Sequence, residues 1–221
     1  MATSTQARAS ALATAGLLGI GVNAAALVLA PILRPDVDLL RSGLSHYAVG
    51  PWSGVQSAAF IALGIGSLAI ARALWLVAHG DLATRVAAVM LGLASINVVG
   101  LAIFPMGEGG PRTPIGDLHL TAGTFAIAWQ FISVTALLLG LRSWPQAEPI
   151  IRLGIVLLGV TLLGAAAIQI AIWRPELGIP EGLAMRGVIV PLLIWWGIVA
   201  MAIRRKAESA TGDDAPRTSA I

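Results

Sequence analysis

The residues that could do chemistry gather in three polar stretches between long apolar runs. The first holds Asp36, Asp38, Arg41, Ser45, His46 and Tyr47; the second Glu108, Arg112, Asp117 and His119; the third Glu176, Glu181 and Arg186. Two of the three histidines and six of the eleven acids fall there, so the chemistry to look for is acid–base work or anion binding. His119 with Asp117 or Glu108 is the candidate catalytic set. Asp117 and His119 flank Leu118, however, and residues two apart on a helix point about 200° away from each other. They pair only if the backbone is irregular. Ser45 and His46 are adjacent rather than facing, a poor arrangement for a serine nucleophile with a local base. No HxxxH or HExxH spacing marks a metal site, and the absence of cysteine excludes disulfides, thiolate catalysis and zinc–sulfur sites. The residues imply no metal and no cofactor.

Five amides, Asn23, Gln56, Asn97, Gln130 and Gln169, interrupt apolar runs. At about 1.5 Å per residue they lie roughly 6 to 18 Å below the ends of those runs, all on one side of the midplane or near it. Gln130 belongs to a helical stripe with His119, Gly123, Ala126 and Ser133, and Gln56 to a stripe with Ser53, Phe60 and Ser67. Such groups are expensive in hydrocarbon, so both stripes face the interior of a bundle. Two readings stand. The amides bond across helices as polar glue, or they line a pocket beneath His46 and His119. The ligand-contacting set on the second reading is Arg41, Ser45, His46, Gln56, Asn97, His119, Gln130 and Arg186.

The elements that must hold these residues follow from composition. The chain is 57% hydrophobic and 11% charged, with a mean hydropathy of +0.86. So few charges cannot cover a water-soluble domain of 221 residues, and the solvent for most of the chain is lipid. Apolar runs at Ala11–Leu33, Trp52–Val77, Val86–Phe104, Leu118–Leu141, Ile151–Trp173 and Gly187–Ile203 are long enough to span. They predict an all-α, polytopic membrane protein built as a six-helix bundle. Pro51 is expected to head the second helix, and Thr113-Pro114 to cap and open the fourth. The first run competes with a signal peptide cleaved near Ala24-Ala25-Ala26, but it is too long for the apolar core of one. Leu40, Leu44 and Tyr47 predict a short helix over 38–48 lying in the membrane interface. Trp195 and Trp196 beside Pro191 read as packing or lipid-facing residues. Residues 1–10 are a polar N-terminus, 11–203 the membrane domain, and 204–221 have the composition of a disordered cytoplasmic tail.

Orientation follows from the basic residues. Arg8, Arg72, Arg85, Arg142, Arg152, Arg204, Arg205, Lys206 and Arg217 lie on one side; Arg34, Arg41, Arg112, Arg174 and Arg186 lie on the other. The richer side is cytoplasmic, which places both termini in the cytoplasm and the three polar stretches outside. The net charge of +3 is then a matter of topology. No basic stripe on a polar domain points to nucleic acid. Trp52, Trp75 and Trp173 at helix ends fit an aromatic belt. His79, beside Gly80-Asp81, reads as a loop residue. Pro35, Pro105 and Pro175 recur at equal spacing, each before an acid, as three helical hairpins of similar length would produce. Arg186 opens the sixth helix against the helix dipole, so a carboxylate partner is expected, with Asp117 or Glu108 favoured.

Arg41-Ser42-Gly43-Leu44-Ser45 with Gly50, Phe104-Pro105, His119 and Gly182-Leu183-Ala184-Met185-Arg186 resemble the motifs of an uncharacterised bacterial and archaeal membrane family, domain of unknown function 998. The resemblance covers most of the chain. It implies a six-helix integral membrane protein with Arg41, Ser45, His119 and Arg186 together on the outer side, and it supplies no activity. Members place an acid sooner after Phe-Pro than Glu108 stands here. Three functions are carried forward for a multi-pass protein of the cell membrane. The first is outward-facing binding or translocation of a small amphiphile or lipid headgroup, held by Arg41, Arg112 or Arg186. The second is an enzyme acting on a lipid or isoprenoid at the outer leaflet, and the third a structural subunit. Membrane lipids are the expected partners, and the sequence assigns no oligomeric state.

Overall fold

The computed structural model describes residues 2–78, 80–107 and 113–212. Six long helices carry the chain: α1 (Ala2–Leu33), α2 (Ser53–Val77), α3 (Leu82–Ile103), α4 (Pro114–Gly140), α5 (Glu148–Trp173) and α6 (Glu181–Gly212). All six have the length and hydropathy to cross a membrane, and no strand occurs among the described residues. Glu108, Arg112 and His79 lie outside the described residues.

Helix starts show the local chemistry. Thr113 Oγ1 accepts from Gly116 N at 3.1 Å, with Pro114 opening α4 as expected. Asp81 caps α3 by accepting from Thr84 N at 2.9 Å and from the Thr84 hydroxyl, which starts that helix four residues before the apolar run does. Pro51 does not head α2. Gly50 and Trp52 have φ of 72° and 63°, so Pro51 sits inside a turn and α2 begins at Ser53. The predicted helix over 38–48 contracts to a 3-10 helix, Leu44–Ala48. The Asp38 carboxylate accepts from Leu40 N at 2.8 Å and Arg41 N at 3.1 Å, a local turn that competes with helix. Those backbone N–H groups, Arg41's first, hold its carboxyl below the usual range. Leu44 and Tyr47 are buried while Leu40 stays exposed. At the far end α6 continues past Ile203 to Gly212.

The helices form an incomplete ring. α1 packs on α2 and α6, α2 on α3, α3 on α4, and α5 on α6, whereas α4 and α5 touch sparsely. Lipid supplies no hydrophobic drive between helices, so close backbone approach must supply packing instead. A Cβ at Gly19 would stand 2.3 Å from the Ala62 carbonyl oxygen and 2.9 Å from Gly66 Cα, and only glycine permits that crossing of α1 on α2. Trp195 and Trp196 are buried, which is the packing alternative for that pair. Near one end of the seam Gly154 lets Trp195 and Leu138 meet α5. Toward the other end α4 and α5 part.

Candidate functional site

The connections after α1 and α5 and the described ends of the connection after α3 lie at one end of the ring. The first of them, residues 34–52, is fastened to its neighbours at several points. Arg34 forks onto Asp36 (Nη2–Oδ2 2.7 Å) and donates to the carbonyls of Val49 and Pro51. Leu183 N donates to Leu40 O at 2.9 Å, and Gly182 leaves room for the carbonyls of Leu39, Leu40 and Ser42 to crowd the start of α6. Arg186 Nη1 donates to Gly182 O at 2.8 Å and to Ser42 O at 3.4 Å. The expected ion pair with Asp117 is not formed: carbonyl oxygens take the guanidinium, and Nη2 is buried without a partner among the described residues. Glu108, the other favoured partner, lies outside the described residues.

His119 is the centre of this end. It is one and a half turns into α4 on the face that also buries Ala122, Ala126, Gln130 and Ser133, and it is 2% exposed. Pro105 cannot continue α3 and holds Phe104 extended (φ −103°, ψ 92°), turning the Phe104 carbonyl out of the helix. His119 Nδ1 lies 2.6 Å from that oxygen, and Nε2 lies 2.7 Å from Ser45 Oγ. A carbonyl oxygen only accepts, so Nδ1 carries the proton in the neutral ring, and Nε2 accepts from the Ser45 hydroxyl. Asp117 is exposed on the opposite side of α4 and makes no side-chain bond to His119.

Beneath this group lies a cavity of about 260 Å3. Its polar lining is Ser45, His119 and Glu181 at the loop end, and Asn23, Thr124, Gln130 and Gln169 along the helices; the rest is apolar, from the 3-10 helix and α2 to α6. Gln130 Oε1 accepts from Trp196 Nε1 at 2.9 Å. An indole N–H only donates, which fixes the amide so that its NH2 faces away from Trp196. Asn23 donates to Ala59 O at 3.4 Å while its Oδ1 is buried without a partner among the described residues. Of the ligand-contacting set read from the sequence, the structure places Ser45, His119 and Gln130 on the cavity wall. The other five are not lining residues. Arg41 is exposed, His46 bonds the Gly43 carbonyl, Gln56 is buried, Asn97 turns back on its own helix to Leu93 O, and Arg186 serves the loop. Glu181 is the one charged lining residue among those described. It was visible as an outer acid, but its place depends on how the first loop folds. No three histidine, aspartate or glutamate side chains converge as a metal site among the described residues.

The family model described as "Protein of unknown function (DUF998)" matches residues 17–202. The chain belongs to this family, as the sequence motifs indicated, and the match takes in every residue named on the cavity wall. No curated protein and no solved structure gave a match.

Proposed function

We propose that this multi-pass membrane protein binds a single-chain amphiphile in the ring, with the apolar part between α3, α4 and α5 and the polar end against Ser45, His119 and Glu181. The cavity carries the reading. A void of ~150 Å3 is filled by one benzene ring, so about 260 Å3 accommodates a ring or a length of chain and excludes a whole two-chain lipid. Leu120 and Thr124 of α4, and Gln169 and Ile172 of α5, both line the cavity and are exposed outward. They mark a way in from the bilayer through the sparse α4–α5 seam. With a carboxylate and no arginine on the wall among the described residues, an uncharged polar end suits the site better than the anionic one expected from the sequence.

The test is native mass spectrometry of the full chain after incubation with a myristoyl monoacylglycerol. Wild type is expected to retain one molecule, and Gly123→Leu, which projects into the cavity, none. Equal retention by both would remove the cavity as the binding place. The basic-residue asymmetry supports an exoplasmic site with both termini in the cytoplasm of the cell membrane. Because the chain has no cysteine, Leu177→Cys is then expected to react with an impermeant maleimide on intact cells, and Ser209→Cys only after lysis. The reverse pattern would invert the topology.

A further inference from the structure

We propose that Ser45 is a nucleophile, activated by His119, that takes the acyl group from an uncharged ester of a single-chain amphiphile. This rests on the binding site proposed above and goes beyond it. Three observations carry it. The Ser45 hydroxyl points its proton at the free lone pair of His119 Nε2, at 2.7 Å, because the Phe104 carbonyl claims the other ring nitrogen at 2.6 Å. That is the tautomer a general base needs, and its loss alone is costly where an aspartate fixes it. The hydroxyl has no structural duty within its own element: Gly43 is the cap of the 3-10 helix, no side chain caps it, and among the described residues the one hydrogen bond of Ser45 Oγ is to His119. Both residues stand on the wall of the cavity whose remaining surface is mostly apolar, so an acyl chain lying along that wall brings its ester carbon toward Oγ.

The step is an ordinary acyl transfer. Ser45 Oγ bonds the ester carbon as its proton passes to His119 Nε2; the carbon–oxygen bond to the alcohol breaks, and the alcohol leaves with the proton from Nε2. Water then attacks the acyl-serine, giving one proton to Nε2, and the Oγ–carbon bond breaks as that proton returns to Oγ. The products are a free fatty acid and an alcohol. A backbone carbonyl orients the imidazole but stabilises the imidazolium less than a carboxylate does, so turnover is expected to be slow and the acyl-serine long-lived.

The experiment uses the full chain in nanodiscs with a decyl fluorophosphonate, which leaves a stable phosphonyl group on an activated serine as fluoride departs. Intact mass and peptide mapping are expected to show a single adduct on Ser45, and the myristoyl monoacylglycerol to compete with it. His119→Gln can still hydrogen-bond the loop but cannot take a proton, and its labelling is expected to slow about 100-fold or more. Wild type that retains the monoacylglycerol yet gives no adduct on Ser45 overturns the nucleophile and leaves the binding site standing. Wild type that does neither overturns both. Labelling at an undiminished rate in His119→Gln overturns the base.

Discussion

A methyl group at Gly182 would stand 2.5 Å from the Ser42 carbonyl oxygen and 2.7 Å from those of Leu39 and Leu40. Three backbone oxygens cannot rotate aside, so Gly182→Ala has to lift the first loop off α6 and carry Ser45 away from His119. Overpacking of this kind costs about 1–3 kcal/mol. Gly159→Ala is the matched control, since nothing lies within 4 Å of its added Cβ and an interior glycine gives way to a better helix former. The first variant is expected to lower Tm and abolish monoacylglycerol retention; the second, to raise Tm with retention intact. If both melt alike, the loop is not clamped where the carbonyls indicate. At this scale the sequence was informative about single residues and silent about pairs. His119 stood out as a histidine opening an apolar helix, but its partners are 74 and 15 residues away. One of them is a main-chain carbonyl, which no residue type announces. Asp117, two residues away, is turned outward by the regular helix, as the spacing implied.

The helices themselves were legible because lipid demands long apolar runs and tolerates few other structures. Their ends were legible only where a side chain does the capping. Asp81 starts α3 ahead of its apolar run, while the turn through Gly50, Pro51 and Trp52 delays α2 through backbone conformation that hydropathy does not record. The Asp81 cap makes a pH prediction. Thr84, through its hydroxyl first, holds the Asp81 carboxyl below its ordinary 3.8, so the folded state favours the carboxylate. The cap's contribution is therefore complete above the ordinary value and is lost as pH falls through the lower, folded one. Asp81→Ala is expected to destabilise by about 1 kcal/mol at neutral pH. In thermal melts across an acid series, the gap between wild type and variant is expected to close at the acid end. A gap that stays constant with pH would mean that charge has no part in the cap.

As a whole molecule, the ring tolerates several costs in its interior. Both polar atoms of Gln56 and the Asn23 Oδ1 are buried without partners among the described residues, and groups of this kind cost about 1–3 kcal/mol each. A bundle selected for stability alone would have closed the α4–α5 seam and filled the space with side chains; one that binds keeps it open. Gly123 is where this can be measured. A Cβ there meets Leu101 Cδ2 at 3.6 Å, an ordinary contact, so a leucine can occupy the space without forcing the helices apart. Replacing a mid-helix glycine contributes about 1 kcal/mol, and the new side chain adds dispersion contacts with the wall; transfer from water adds nothing in a bilayer. Gly123→Leu is therefore expected to melt higher than wild type when no monoacylglycerol is added. Wild type, in turn, is expected to gain about 2.7 kcal/mol from ligand at a hundred times its Kd, and the variant almost nothing. The order of the two melting temperatures then reverses on adding ligand. A variant that gains as much from the monoacylglycerol as wild type does would place the ligand somewhere other than beneath His119.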